Sequence, residues 1–323
     1  MQFKLKKISG DASFREFYKI QKNSTSTILV KANKDKFKNL IVYAAINNLL
    51  INNKIKAPKL IQEYFDKEMM EIEYLGDRSF FDYIKNKKNK LADYKKLIEI
   101  IIKLQKIKLK NYIKIKNYKI PIKKYNLFQL HNESDLFFDW YLKHSCKKNK
   151  FTALKNKIKK ELNNLYKKLY FQNKCFVHKD FHASNIIVKK KNLGLIDSQD
   201  AIKGNLLYDV ASVIDDVRIK LPFKLKSLLF NYYLSKTKKI KENEKKVAKY
   251  DFDILSIQRN LRILGTFVRL YKRDNKPIYL KFLPYTWKLI ELRLQSPIFN
   301  KLKHLLNKAI PTEKRNKVNF DAN

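Results

Sequence analysis

The sequence predicts an α+β protein of two lobes, with a small N-terminal β-lobe and a larger, mostly helical C-terminal lobe. Strand patterns and one amphipathic helix occupy the first lobe, whereas helical periodicity dominates after Ser79. The stretch 175–197 interrupts the helices with short apolar runs and polar turns, which is typical of β-hairpins. We therefore place the lobes at 1–76 and 77–310, followed by a frayed tail at 311–323.

The N-terminal lobe is predicted to hold three strands and one helix. Apolar and polar residues alternate over 14–20, and apolar runs at 25–32 and 69–74 indicate two further strands. Between them, 37–51 carries apolar residues at helical spacing. The order hairpin, helix, strand indicates a small sheet that carries one helix.

Amphipathic periodicity predicts the helices of the C-terminal lobe. They are expected at 91–107, 134–144, 154–170, 206–219, 223–235, 250–271 and 284–294. The stretch 236–248 is rich in Lys and Glu, which indicates a solvated helix end or a loop.

The most informative stretch, 175–197, holds three side chains that suit phosphoryl transfer from a nucleotide. Its apolar runs predict a hairpin, with Asp180 and Asn185 on the preceding loop and Asp197 after the returning strand. Asp180 would accept the proton of a substrate hydroxyl, and Asn185 and Asp197 would hold Mg²⁺ through the oxygen ligands that it prefers. Such residues also flank strands because they favour turns. The full combination, with His178 two residues before Asp180, indicates a site in a protein-kinase-like fold, with the nucleotide in the cleft between the lobes.

Two N-terminal features are candidates for contacts with the nucleotide phosphates. The turn at 10–15 contains one of only five glycines, so backbone N–H groups and a hydroxyl can approach phosphate oxygens. Lys31 ends the second strand and is a candidate for the α- and β-phosphates, although 37–51 offers no glutamate to pair with it. The alternatives are an ordinary turn and a surface lysine. The residues assigned to the phosphate-side loop are Asp11, Ala12, Ser13 and Phe14.

Three residues around the central motif are assigned supporting roles. His178 is expected to orient the loop through hydrogen bonds to the backbone rather than to carry a proton. Asp209 opens a predicted helix and is expected to cap it or to tie down the catalytic loop, so we count it as structural support. Asp200, three residues after Asp197, is a candidate for contact with the substrate or the metal.

Candidates for binding the phosphate acceptor lie on two predicted helices. Asp135, Asp139 and Trp140 place carboxylates beside an aromatic ring, a combination that suits a sugar, although an amphipathic core helix explains Trp140 equally well. Arg259 shares a helix face with three other arginines, and arginine favours bidentate contact with carboxylate or phosphate. A solvated helix face is the alternative. The other members of that face are Arg262, Arg269 and Arg273.

Lysine dominates the charge of the chain. The 72 basic and 30 acidic residues give a net charge of +42, but lysines are spread from end to end, so we interpret them as a compositional bias rather than a nucleic-acid-binding face. Cys146 and Cys175 make no disulfide framework. The chain has no signal core at 1–10 and no apolar run of about 18 residues. We expect a cytoplasmic monomer that binds a sugar and a nucleotide, with no specific nucleic acid and no membrane.

The motifs resemble those of the aminoglycoside phosphotransferase-like kinases. The catalytic match is His178-Lys179-Asp180 with Asn185 and Asp197. Longer matches, which cover 8–295, are similar to the bacterial anomeric kinases for N-acetylmuramate and N-acetylglucosamine of cell-wall recycling. These matches are GDASFR at 10–15, LGDRS at 75–79, FFDWY at 137–141, IDSQDA at 196–201, YDVAS at 208–212, QRNLRILG at 258–265 and KPIYL at 276–280.

The resemblance implies phosphorylation of the C1 hydroxyl of an amino sugar, with ATP and Mg²⁺. It assigns Asp180 as the base, Asn185 and Asp197 as metal ligands, and 11–14 as the phosphate-side loop. Two residues depart from the family pattern. Ser198 stands where the family usually has Phe after the metal-binding Asp, and Lys31 stands where this subgroup often has no lysine.

Three alternatives remain open from the sequence. A kinase of the same fold acting on an aminoglycoside, a choline-like molecule or another hydroxyl acceptor would need an acidic pocket, for which only scattered carboxylates are present. A nucleic-acid-binding protein would need its lysines and aromatic residues on one face. A pseudokinase that only binds nucleotide is disfavoured by the intact Asp180, Asn185 and Asp197.

Overall fold

The computed structural model describes residues 4–8, 15–22, 25–32, 38–190 and 192–316, and the chain divides into two compact units. Unit 1 comprises Met1–Lys124 and Lys174–Lys203, and unit 2 comprises Tyr125–Asn173 and Gly204–Asn323. The stretch 174–203 belongs with the N-terminal sheet because backbone hydrogen bonds join it to neighbouring segments of unit 1. Among them, Leu195 N–H donates to the Lys56 carbonyl at 2.8 Å. The predicted lobes, 1–76 and 77–310, stay a prediction.

Unit 1 contains a five-stranded antiparallel sheet in the order β1-β2-β3-β5-β4. Its strands are Lys4–Ile8 (β1), Glu16–Lys22 (β2), Thr25–Lys31 (β3), Leu60–Tyr64 (β4) and Met69–Glu73 (β5). Phe17 lies opposite Val30 and Ile28 opposite Ile72, so these apolar side chains share one face of the sheet. The sheet confirms the predicted β-lobe, but the sequence analysis missed β1 and β4.

The described part of unit 1 also contains three α-helices and three short two-stranded sheets. The helices are Lys38–Asn52 (α1), Phe80–Ile84 (α2) and Leu91–Gln105 (α3). The further strands are Tyr112–Ile115 (β6), Tyr118–Pro121 (β7), Cys175–Val177 (β8), Ile186–Lys189 (β9), Asn192–Leu195 (β10) and Ile202–Gly204 (β11). Strands β6 and β7, β9 and β10, and β8 and β11 form separate two-stranded sheets. The predicted hairpin of the central motif is therefore β9 and β10.

Unit 2 is helical in its described part. Its helices are Leu127–Leu136 (α4), Lys143–Ser145 (α5), Lys148–Tyr166 (α6), Tyr208–Ile214 (α7), Phe223–Lys236 (α8), Lys245–Lys272 (α9), Leu283–Arg293 (α10) and Asn300–Ala309 (α11). A π-helical turn at Phe137–Leu142 joins α4 to α5. Helix α9 is buried along most of its length and packs against α4, α7 and α10. The mostly helical remainder of the predicted fold class is thus confirmed, although the sequence analysis missed α11.

A buried ion cluster stabilises the interior of unit 2. The Asp215 carboxylate is fully buried and accepts hydrogen bonds from Arg293 at 2.8 and 2.9 Å, from Lys226 at 2.9 Å and from Ser256 at 2.6 Å. These donors and cations hold the pKa of Asp215 well below its usual range, against the effect of burial. Because removing one partner would leave a buried charge unpaired, the cluster ties α8, α9 and α10 to the end of α7.

The first residues of the predicted frayed tail, 311–323, form defined structure. Thr312–Lys314 forms a 3-10 turn, and the Arg315 side chain is buried after it. The Arg315 guanidinium donates to the Ile310 carbonyl at 3.0 Å and to Glu291 at 2.6 Å, and it lies 4.4 Å from the centre of the Trp287 ring. Residues 317–323 lie outside the described part of the chain. Within that part, no helix combines the length and the apolar character needed to span a membrane.

We predict that Gly265→Ala strongly destabilises unit 2. A Cβ at this position in α9 would overlap the backbone of Leu136 and Phe137, which cannot rotate away as a flexible side chain would. Overpacking of this kind costs about 3 kcal/mol. Urea unfolding of the variant should show the loss, while Lys246→Ala on the exposed face of the same helix should unfold like the wild type. Equal stability of all three proteins would contradict this packing.

Candidate active site

A buried strand delivers the catalytic loop. All three residues of β8 are buried, and His178, which follows it, has no exposed surface. Lys179 adopts a left-handed conformation with φ of 77°, which turns the chain sharply before the half-buried Asp180. The Asp180 carbonyl then accepts a hydrogen bond from the His182 N–H at 3.1 Å, so the backbone around the proposed base is fixed locally.

Asn185 is oriented by the loop that precedes it. Its Nδ2 donates to the backbone carbonyl of Asp180 at 3.1 Å and lies 3.3 Å from His182 Nε2. Since the amide nitrogen is used in this way, the Oδ1 oxygen is the atom left for a ligand. The bond to residue 180 also places the proposed base and the proposed metal ligand on one rigid turn.

The hairpin of β9 and β10 brings Asp197 to the same end as Asn185. Leu195 pairs with Ile186, and the Ile196 N–H donates to the Asn185 carbonyl at 3.0 Å. Asp197 follows at once in a left-handed conformation with φ of 63°. Such a conformation is uncommon for residues other than glycine, although it is more frequent for Asp than for most of them, and it is found at functional sites where the surroundings enforce it.

Asn185 and Asp197 line a cavity of about 310 Å³ inside unit 1. Its lining is mostly apolar, with the oxygen-bearing side chains of Asn185, Asp197 and five further polar residues, which suits a ligand with a flat ring and a charged group. The five further residues are Tyr43, Glu73, Tyr74, Asp77 and Ser184. Asp180 is not part of this wall. The apolar wall residues are Ile8, Phe17, Ile28, Pro58, Ile72, Leu75, Ile187 and Ile196.

Magnesium fits this pair of ligands. The Asp197 side chain is 35% exposed and supplies a carboxylate, and Asn185 supplies an amide oxygen on the same wall. Mg²⁺ is commonly held by one or two protein oxygens together with substrate phosphates, rather than by an all-protein cage. Accordingly, the residues that the structure describes contain no cluster of three His, Cys, Asp or Glu side chains that could hold a metal alone.

His178 is a buried, neutral neighbour of both carboxylates. Burial lowers the pKa of the imidazole, while the charges of Asp180 and Asp197 and the backbone of Ile196 act in the opposite direction. The ring also contacts Phe181 edge to face, with 5.9 Å between ring centres. A neutral, enclosed ring fits the predicted orienting role.

The sequence analysis did not assign a role to Arg15, which contacts Asp197. Arg15 is buried, its Nη2 donates to Asp197 Oδ1, and its Nη1 donates to Gln199 Oε1 at 2.8 Å. The guanidinium carbon lies 5.4 Å from the centre of the Tyr43 ring and 5.6 Å from that of Phe17. The motif at 10–15 contains this residue, but its partner is 182 positions away, so no local pattern could reveal the pair.

Ser198, where the chain departs from the family pattern, connects the segment that follows Asp197 to helix α1. Its hydroxyl is buried and donates to Asn47 Oδ1 at 2.7 Å, and Asn47 Nδ2 donates to the Pro58 carbonyl at 3.1 Å. A phenylalanine at position 198 could not make this bond. The chain therefore fixes the residue after Asp197 through a polar contact.

The structure places Lys31 away from the cavity. It is exposed and lies opposite Glu16 in the pairing of β2 with β3. Side chains alternate between the faces of a strand, so Lys31 faces away from Ile28 and Val30, which share the cavity face. An approach of Lys31 to phosphates bound in this cavity is therefore not supported. Asp11, Ala12, Ser13 and Phe14 lie outside the described residues.

Three candidate acceptor residues, Asp135, Asp139 and Trp140, lie in unit 2. Asp135 pairs with Lys159 at 2.7 Å and Asp139 with Lys155 at 2.9 Å, so α6 already neutralises both carboxylates. Trp140 stacks on the ring of His144, with 6.4 Å between ring centres.

Arg259, Asp200 and Asp209 have contrasting environments. Arg259 is only 2% exposed, and burial lowers its pKa. It therefore does not belong to a solvated helix face. Asp200 is exposed and accepts a bond from Gln199 at 3.0 Å. Asp209 is buried in the first turn of α7, but it does not cap that helix because the N-cap position is Leu207.

The model of the phosphotransferase enzyme family (APH) matches residues 4–242. The chain belongs to this family.

Curated relatives extend the likeness over most of the chain. An N-acetylmuramate/N-acetylglucosamine kinase of Pseudomonas putida is 25% identical over 279 residues, which are 85% of this chain and 79% of that protein. A kinase of the same name from Neisseria meningitidis serogroup B is 23% identical, with coverage of 87% and 83%. The chain is therefore a small-molecule kinase.

Solved structures confirm the protein-kinase-like fold. The ADP-bound aminoglycoside phosphotransferase APH(2'')-Ib superimposes with a TM-score of 0.59 at 15% identity, covering 92% of this chain and 94% of the other. An ethanolamine kinase of Plasmodium vivax gives a TM-score of 0.62 at 15% identity, with coverage of 92% and 83%. At such low identity, the likeness establishes the fold alone.

We predict that Ser198→Ala lowers the free energy of unfolding by about 1–3 kcal/mol, because Asn47 Oδ1 would lose its donor in a buried position. Urea denaturation followed by circular dichroism measures the change. Ser235→Ala is the matched control, since its exposed hydroxyl bonds only to the Tyr232 carbonyl. Its effect should stay within about 0.5 kcal/mol. Equal effects of both substitutions would contradict a structural role of the Ser198 contact.

Proposed function

We propose that this kinase transfers the γ-phosphoryl group of ATP, with Mg²⁺, to a sugar hydroxyl, and that the hydroxyl is the anomeric one of N-acetylmuramate or N-acetylglucosamine. The observation that supports this most strongly is that Asn185 and Asp197 line the same cavity, with the Asn185 side chain hydrogen-bonded to the backbone carbonyl of Asp180. The printed names of the curated relatives support the acceptor. The ADP bound to the aminoglycoside phosphotransferase of the same fold supports the nucleotide.

In this proposal, each residue of the central motif has one task. Asp180 accepts a hydrogen bond from the attacking hydroxyl and takes its proton as the bond to phosphorus forms. Asn185 Oδ1 and the Asp197 carboxylate hold Mg²⁺, which when bound neutralises charge on the phosphates. The apolar wall of the cavity receives the base of the nucleotide, and His178 keeps the loop in position as a neutral ring. Residues 11–14 contact the phosphates.

The geometry supports the proposed acceptor contacts less directly than the proposed nucleotide and metal contacts. Asp200 is the exposed carboxylate nearest in sequence to Asp197, and we retain it as an acceptor or metal contact. Asp135, Asp139, Trp140 and Arg259 remain candidates for the acceptor, with the lysine pairs of the two aspartates to be displaced on binding. The cytoplasmic location, the monomeric state and the lack of a specific nucleic-acid partner stay predictions.

A second acceptor class is favoured by the structural neighbours. They include an aminoglycoside phosphotransferase and choline and ethanolamine kinases, so the fold serves cationic acceptors as well. An assay with ATP and Mg²⁺ should therefore compare N-acetylmuramate, N-acetylglucosamine, an aminoglycoside and choline. Phosphorus NMR of the product distinguishes an acid-labile glycosyl phosphate from an ordinary phosphate ester. Turnover restricted to the aminoglycoside or choline would overturn the proposed acceptor.

We predict that Asp180→Asn lowers kcat by about 10²–10⁴-fold, because the amide cannot accept the proton of the hydroxyl. Binding of ADP, measured by calorimetry, should stay close to that of the wild type, since Asp180 does not line the cavity. Asp66→Asn changes an exposed aspartate of the same unit and should leave kcat unchanged. A kcat of Asp180→Asn within threefold of the wild type would refute this role of Asp180.

A further inference from the structure

Asp197 is held from two sides in unit 1. Its side chain is bound through Oδ1 by the buried Arg15, and its backbone N–H donates to the Tyr43 hydroxyl at 3.4 Å. The charge of Asp197, together with burial, raises the pKa of that hydroxyl, whereas Arg15 lowers it. Arg15 and Tyr43 thus contact each other as well as Asp197, and the three groups fix one orientation of the carboxylate.

The carboxylate keeps one oxygen for a ligand. An ionised Asp offers about four lone-pair directions on two oxygens, and Arg15 uses Oδ1. The side chain remains 35% exposed and lies on the cavity wall, so the second oxygen is accessible. A guanidinium that bonds Gln199 at the same time is held in place, so its bond to Oδ1 restricts the movement of the carboxylate.

We propose that Arg15 is a positioning residue that orients Asp197 for a divalent cation. This inference rests on the proposed function, because it assumes that Asp197 binds the metal. Hydrogen-bonded partners of metal-binding carboxylates typically contribute 10–100-fold to metal affinity. The positive charge of Arg15 repels the cation, but solvent at the partly exposed carboxylate screens that repulsion. The orienting effect therefore outweighs the repulsion.

In the described part of unit 1, Arg15 is the buried cation that pairs with Asp197. Helix α1 contributes Tyr43 and Asn47 to this region but no carboxylate, and Lys31 faces away from the cavity. The buried cation comes instead from the residue before β2. Arg15 also follows Phe14 directly in the chain, so the proposed phosphate-side loop is covalently connected to the residue that orients the metal ligand.

The test is the Mg²⁺ dependence of ADP binding, measured by titration calorimetry on the full chain without acceptor. Arg15→Met removes both the charge and the planar set of donors, whereas Arg15→Lys keeps the charge but lacks the rigid guanidinium geometry that bonds Asp197 and Gln199 at once. Gln199→Leu removes one of the two anchors of the guanidinium and serves if the Arg15 variants do not fold. Arg78→Met is the control, because Arg78 is exposed and lies 5.0 Å from the centre of the Tyr83 ring.

We expect the Mg²⁺ concentration for half-maximal tightening of ADP binding to rise about 10-fold or more in both Arg15 variants. The rise should be smaller in Gln199→Leu, and Arg78→Met should match the wild type. ADP binding without Mg²⁺ should be similar in all five proteins. The inference would be overturned if the Arg15 variants showed the Mg²⁺ dependence of the wild type. If neither Arg15 variant folds, the same result for Gln199→Leu would overturn it. The inference would also be overturned if Arg15→Lys showed the wild-type Mg²⁺ dependence while Arg15→Met bound Mg²⁺ more tightly than the wild type. A wild type whose ADP binding ignores Mg²⁺ would instead contradict the proposed metal site.

Discussion

The hydrogen bond from the Ile196 N–H to the Asn185 carbonyl is the contact on which the site depends. It extends the pairing of β9 and β10 by one step, with Ile196 opposite Asn185, so that Asp197 follows directly after the partner of Asn185. A slip of one residue would turn every side chain of one strand to the opposite face and separate the two oxygen ligands. Lys179 and Asp197 both adopt left-handed backbone conformations. The backbone hydrogen bonds on either side of the loop hold these conformations in this register.

His178 and Arg15 determine the electrostatics around Asp180 and Asp197. Burial lowers the pKa of His178, against the charges of Asp180 and Asp197, and so favours the neutral ring. The one buried arginine of this region, Arg15, pairs with Asp197. Asp197 is therefore fixed in place by Arg15. The abundant lysines of the chain have little part in this arrangement, because those near the cavity, such as Lys31, lie on exposed faces.

The central motif could be predicted from sequence because all of its spacing is local. Its strands, turn and three polar side chains lie within 175–197, and the alternation of apolar residues fixes which ends meet. Lys31 was made a candidate for the phosphates from its place at the end of a strand, whereas in the structure it faces away from Ile28 and Val30. Helix α11 was overlooked although Leu302, Leu305 and Leu306 follow helical spacing. The contact of Arg15 with Asp197 was not predictable, because it joins distant segments through the folded sheet.

The most direct test of the account is whether Asn185 and Asp197 hold one divalent cation together with nucleotide. Mn²⁺ with ADP can be added to protein labelled with ¹⁵N-asparagine, and the side-chain amide signals followed by NMR. The account predicts selective paramagnetic broadening of the Asn185 amide pair, assigned by Asn185→Asp, and loss of that broadening in Asp197→Asn. An Asn185 signal that stays sharp while ADP and Mn²⁺ are bound would contradict it.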